Sequence, residues 1–231
     1  MDESGSSASL AFNLNRHSPF FFKCQVCSAC CYNKAIQVGP FEALRLARRF
    51  GLTTTDFLDC YTEPGTAVLK NKPDGSCVFL APSGCGVHPD RPLVCRLFPL
   101  GQIIGSQGEE RYARMPPHPD CLGFFDTDGT VDSYLESQDT GPYFMFDKEY
   151  SAIKNKILDF LPHQERKNCP QDDKTRPGIE SRIRARLLAD WLDIDAAVSA
   201  LCGKKEIRKT MSPADLARLH IRTLAERLDS F

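Results

Sequence analysis

The chain contains no long hydrophobic run. Its apolar burst Phe20-Phe21-Phe22 falls far short of the ~18 residues a spanning helix needs, so no membrane span is expected. It contains no G-x-G-x-x-G, G-x4-G-K-[ST], H-E-x-x-H or G-x-S-x-G, which removes the common dinucleotide, triphosphate, zincin and hydrolase sites. Any reactive chemistry must then reside in a bound inorganic group. Neither sign of charge is in excess: 29 Lys and Arg stand against 30 Asp and Glu, for a net charge of -1. That balance argues against a nucleic-acid partner. The opening Met1-Asp2-Glu3-Ser4-Gly5-Ser6-Ser7 has neither the basic segment nor the apolar core of a secretory leader, so the expected location is cytoplasmic. No internal repeat is visible.

What the chain has is cysteine, 11 in 231 residues. In a reducing compartment, closely spaced thiols favour metal over disulfide, and an odd count fits poorly with complete pairing. Four lie together in Cys24-Gln25-Val26-Cys27-Ser28-Ala29-Cys30-Cys31. Two x2 spacings place thiols on a tight turn where sulfurs can face one metal. Cys77, Cys85, Cys95 and Cys121 follow in a stretch dense in Pro and Gly, where a metal centre is the natural organiser. These eight cysteines are the candidate metal ligands. Side chains on neighbouring residues tend to diverge, so Cys30 and Cys31 are expected to face different sets of thiols. The first-choice set is Cys24, Cys27, one of Cys30 and Cys31, and Cys95. Each four-thiolate site, whether of zinc or of an oxidised four-iron cluster, would move the real charge from -1 to about -3.

Thiolate softness admits both zinc and an iron–sulfur cluster. The bacterial ferredoxin run C-x2-C-x2-C-x3-C-P is matched only at its first three positions. His88 and His118 are the imidazoles nearest the thiols and are candidate replacements for a cysteine at a zinc site. Cys60, inside an expected helix, reads as a buried core thiol. Cys169 and Cys202 read as bystanders, and Arg45, Arg48 and Arg49 as a solvated helix face. Arg91 and Arg96 flank Cys95 and are the candidate cofactor-binding residues, because a guanidinium beside a thiolate centre neutralises charge and raises a cluster's potential.

A fuller pattern emerges from Phe22-x-Cys24 through Cys31, then Cys77-Val78-Phe79-Leu80, Cys85 and Arg91-Pro92-x2-Cys95-Arg96-Leu97-Phe98-Pro99. It resembles the YkgJ-type CxxCxxCC family of zinc- or iron-chelating domains over about residues 20–125. Cys121-Leu122-Gly123 stands where that family often has C-P-G. The resemblance implies bound metal. Members are often labelled iron–sulfur oxidoreductases, and a related motif occurs in flagellin lysine methylases.

Pro40 and Gly51 bracket an amphipathic helix, and Thr53 caps a second. Thr66–Lys70, Cys77–Leu80, Gln102–Ile104 and Arg111–Arg114 read as short strands, the last two paired. Helices are expected over 148–161, ended by Pro162, over 179–201, and after Ser212-Pro213. The expected fold is α+β: a mobile tail over 1–18, a small irregular metal-organised domain over 19–140, and a helical extension over 141–231. The expected function is binding of an iron–sulfur cluster, of the 4Fe-4S type, for electron transfer or redox sensing with a redox or protein partner. The alternatives are a zinc-stabilised interaction module without turnover and an accessory to a protein-modifying system.

Overall fold

The computed structural model describes residues 10–164, 179–199 and 210–229. The fold is α+β. Three small two-stranded antiparallel sheets are interleaved with helices, and a run of helices follows the last strand. Strand β1 (Pro19–Lys23) pairs with β6 (Phe124–Thr130), β2 (Leu80–Ala81) with β3 (Gly84–Cys85), and β4 (Leu100–Ile104) with β5 (Glu110–Arg114). The helices are α1 (Pro40–Arg49), α2 (Thr54–Tyr61), α3 (Leu93–Leu97), α4 (Val131–Ser137), α5 (Gly141–Gln164), α6 (Ile179–Leu192), α7 (Ile194–Ser199) and α8 (Pro213–Asp229).

Local chemistry accounts for the helix starts. Pro40 opens α1, and Glu42 reaches back to the Gly39 N–H. Thr53 caps α2 by accepting from the Asp56 N–H at 3.1 Å, and Ser212 caps α8 by accepting from the Asp215 N–H at 3.1 Å. Gly51 follows α1 at φ +67°, the left-handed conformation that a helix stop favours.

Helix α1 is the common wall of the molecule. Ala43, Leu46 and Ala47 pack with Phe57, Phe79 and Val87 on the cysteine-bearing side. Phe41 and Leu44 pack instead with Tyr143, Phe146, Leu216 and Leu224 of the later helices. A third cluster joins β1, β5 and α4 through Phe20, Phe22, Tyr112, Tyr134 and Leu135. The C-terminal helices are also tied to the cysteine domain by reciprocal caps. Asp195 accepts from the Thr54 N–H at 2.8 Å, and Thr54 Oγ1 accepts from the Asp195 N–H at 2.8 Å.

Several expectations change. Leu14, in the expected tail, exchanges backbone hydrogen bonds with Tyr112, and Arg16 pairs with Glu110 and Asp132. Residues 66–70 form isolated bridges, Gln37 to Val68 and Thr62 to Leu69, rather than a strand. Cys77 forms one bridge with Asn71, and the strand of that segment is confined to Leu80–Ala81. Helix α5 starts at Gly141 and continues through Pro162 to Gln164. A proline in the last turn removes only one ladder bond, which the long preceding helix tolerates. The expected 179–201 helix is interrupted at Asp193. The end of that expected helix, at 200–201, lies outside the described residues, as do Cys169 and Cys202. No helix among the described residues is long and apolar enough to cross a membrane.

Candidate metal centre

The CxxCxxCC run is a chain of tight turns. Val26 and Ser28, each between cysteines, adopt left-handed backbone at φ 53° and 62°, and Ala29–Cys31 is a single 3-10 turn. A β-branched residue at positive φ is strained, and such strain gathers at functional sites. The turns point amide N–H groups at sulfur. The Val26 N–H donates to Cys24 Sγ at 3.4 Å, and the Ala29 N–H donates to Cys27. Phe79 does the same for Cys77, and Gly123 for Cys121. Four thiols thus each receive an N–H from the residue two positions on, a pattern that stabilises thiolates and orients metal ligands.

Separate segments are drawn in by backbone and packing. The Cys77 N–H donates to the Cys31 carbonyl at 2.8 Å. Leu80 pairs with Cys85 in the β2–β3 hairpin, and Phe79 stacks on Phe50, with ring centroids 5.6 Å apart, to anchor that arm on α1. Phe22, ahead of the run, meets Phe98, just after Cys95, edge-on at 6.1 Å. The Leu122 N–H donates to Cys27 Sγ at 3.4 Å. Gly123 makes that approach possible, since a Cβ there would lie 2.4 Å from the Phe22 ring.

The thiols form two neighbourhoods linked by Cys30, whose charge also reaches Cys27 and Cys121. Cys30, Cys31, Cys77, Cys85 and Cys95 lie within one another's electrostatic reach. Cys30 and Cys31 do not diverge: the tight turn brings their thiols into a mutual hydrogen bond. That bond pulls Cys30 down to about 6, helped by Lys34 and Arg91, and holds Cys31 well above the ordinary thiol range. Burial pushes Cys95 up to about 12, with the charges of Cys77, Cys85 and Cys30 adding to it. The outer group is Cys27 hydrogen-bonded to Cys121. The Ala29 and Leu122 N–H groups lower Cys27, and burial raises Cys121. Cys24 is exposed beside this pair in sequence. Among the described residues, no three Cys, His, Asp or Glu side chains converge tightly enough to form a ready-made single-ion site.

The flanking residues sort clearly. Arg91 lies in the field of Cys95 and Cys85 and donates to Gln138 Oε1 at 2.7 Å. Arg96 is buried and spends its guanidinium on the carbonyls of Arg91, Gln138 and Pro89 and on the Tyr143 hydroxyl. It braces the loop that carries Cys95. His88 Nδ1 lies 3.2 Å from Arg91 Nη1, and His118 Nδ1 accepts from the Asp120 N–H at 3.2 Å. Cys60 is exposed on α2 instead of buried. Arg45 and Arg49 both bind Asp90, at 2.6 and 3.3 Å, so they fasten α1 to the Cys85–Cys95 loop and are not a solvated face.

Glu42 is a positioning residue that sequence reasoning missed. Its carboxylate accepts from Gly39 N–H, closing α1, and from Leu93 N–H, the first of α3. It thereby fixes the short helix that holds Cys95. Its spacing of three from Gly39 was the available signal.

An α+β scaffold that gathers thiols from four loop segments, with amides aimed at sulfur and a guanidinium alongside, defines a thiolate metal-binding protein. Residues 23–118 match the family model CxxCxxCC, described as "Putative zinc- or iron-chelating domain". Cys121 lies just beyond the matched segment. No curated protein and no solved structure matches the chain.

Proposed function

We propose that the thiols hold an iron–sulfur cluster of the 4Fe-4S type, used in electron transfer or redox sensing. The observation that carries this reading is the all-sulfur neighbourhood of the inner thiols: Cys30, Cys77 and Cys85 act on Cys95, and Cys30, Cys77 and Cys85 act on Cys31. Four or more thiolates gathered from separate segments are the donor set that an iron–sulfur cluster takes. The all-sulfur donor set fits either metal by softness.

Cys30, Cys77, Cys85 and Cys95 would hold the cluster, with Cys31 in reserve beside Cys30. Arg91 would offset its negative charge and raise its potential. When bound, the cluster supplies one-electron chemistry. The chain supplies the amides that steady sulfur charge and a surface for exchange. That surface is the outer rim, where Val26 is 62% and Leu122 69% exposed around Cys24, Cys27 and Cys121. An apolar rim over thiols suits docking of a redox partner.

The test is metal and acid-labile sulfide content with the visible spectrum, on anaerobically purified protein. Iron and sulfide in similar amounts, with broad absorption near ~400 nm, is the expected result. Zinc without sulfide would overturn it and leave a structural centre.

A further inference from the structure

A cleft of about 300 Å³ separates α1 and α3 from α5 and α6. That volume lies at the lower end of the range for small-molecule sites. Its walls are aromatic, with Phe41, Tyr143 and Trp191 among them. Two opposite charges face it from one side of α5, Asp147 and Lys154, seven residues and thus about two turns apart. Neither is spent. Asp147 makes no hydrogen bond or ion pair among the described residues. Lys154 lies over the Trp191 ring at 5.1 Å and forms no ion pair there. The two still sense each other, for Lys154 opposes the rise that burial imposes on Asp147. An anion at the exposed rim and a half-buried cation, spaced along the α5 wall of the cleft, match a ligand that carries both charges itself.

We propose that this cleft binds a small zwitterion of amino-acid or dipeptide size with an apolar side chain. Its ammonium meets Asp147, its carboxylate meets Lys154, and its apolar part lies among the rings. The site adjoins the thiol centre: Glu42 lines the cleft, holds the first N–H of α3, and lies in the field of Cys95. The assignment stands whichever metal the thiols hold.

Trp191 is the only tryptophan of the chain and forms part of the wall, so its fluorescence reads occupancy directly. The full-length protein, with its metal in place, is titrated with the twenty free amino acids and with glycyl-leucine and leucyl-glycine. N-acetyl and amide derivatives of the best binder follow. At least one zwitterion should give a saturable change, and each blocked form should bind about 10-fold or more weakly. Asp147→Asn should abolish discrimination between free amine and N-acetyl. Lys154→Gln should abolish discrimination between acid and amide. Both variants should keep wild-type metal content. Absence of saturation by every compound, or blocked forms binding as tightly as free ones, would overturn the assignment. So would variants that leave both discriminations intact.

Discussion

Cys95 and Cys60 carry the same side chain in opposite surroundings. Cys95 lies among other thiols with its proton held tightly by burial, while Cys60 sits exposed on α2. Metal binding must displace the Cys95 proton, and the gain comes from coordination. Cys95→Ser should therefore remove most of the bound metal, while Cys60→Ser leaves it unchanged. Elemental analysis of the two variants decides this, and equal metal content in both would remove Cys95 from the ligand set. His220 offers a second test at this scale. It is fully buried, with Nε2 donating to the Asp190 carbonyl at 2.9 Å and Nδ1 accepting from the Tyr150 hydroxyl at 3.0 Å. Burial lowers its pKa to about 4. The neutral ring is the folded form, so its contribution is complete above the ordinary value near ~6.5 and is lost as pH falls toward 4. The loss should be on the order of 3 kcal/mol. His220→Gln keeps a donor and an acceptor without titrating. The wild-type-minus-variant difference in denaturant stability should shrink across that window, and a constant difference would show that His220 does not titrate there.

Elements in this protein are positioned by a few shared polar groups. Glu42 closes α1 and holds the first N–H of α3, so one carboxylate sets both the central wall and the helix of Cys95. Glu42→Ala should cost about 1–4 kcal/mol from the two lost caps and should also weaken metal binding, because α3 is only five residues long. Denaturant melts and metal titration on the same variant test the link; lost stability with unchanged metal affinity would break it. Helix boundaries set by such local chemistry were largely legible in the sequence. Pro40, Thr53, Ser212 and the paired β4–β5 segments act over a few residues, and they fall where expected. Long-range pairing was not legible. Phe20-Phe21-Phe22 reads only as an apolar burst until β6, about a hundred residues later, supplies its partner. The start of α5 was signalled only by Pro142, a proline suited to a first helical turn, while the clear periodicity begins further along. Which thiols share a neighbourhood was equally hidden. Spacing identified the run, whereas the contact of Cys30 with Cys31 depends on backbone turns at Val26 and Ser28 that few L-residues adopt.

Across the whole molecule, the two halves differ in what holds them. The cysteine-bearing half has sheets of only two strands each, and β2 and β3 are two residues long, too little backbone ladder for independent stability. Outside the cluster of Phe20, Tyr112 and Tyr134, its thiol loops have their side of α1 and a bound metal to order them. The helical half is a conventional packed core: Tyr143, Phe146, Ile157, Leu216 and Leu224 are each buried to within 2% of full enclosure. Because α1 serves both, metal loss should be transmitted only as far as this helix. Stripping the metal should remove amide-exchange protection over residues 24–39 and 62–98 first. Protection in α5 and α8 should persist, with α1 intermediate, since Phe41 and Leu44 remain packed on those helices after Ala43 and Ala47 lose their neighbours. Exchange measured by mass spectrometry on metal-loaded and stripped protein resolves these segments. Uniform loss through α5 and α8 would mean that the metal organises the entire chain, and unchanged protection over 24–39 would mean that the thiol loops hold their shape without it.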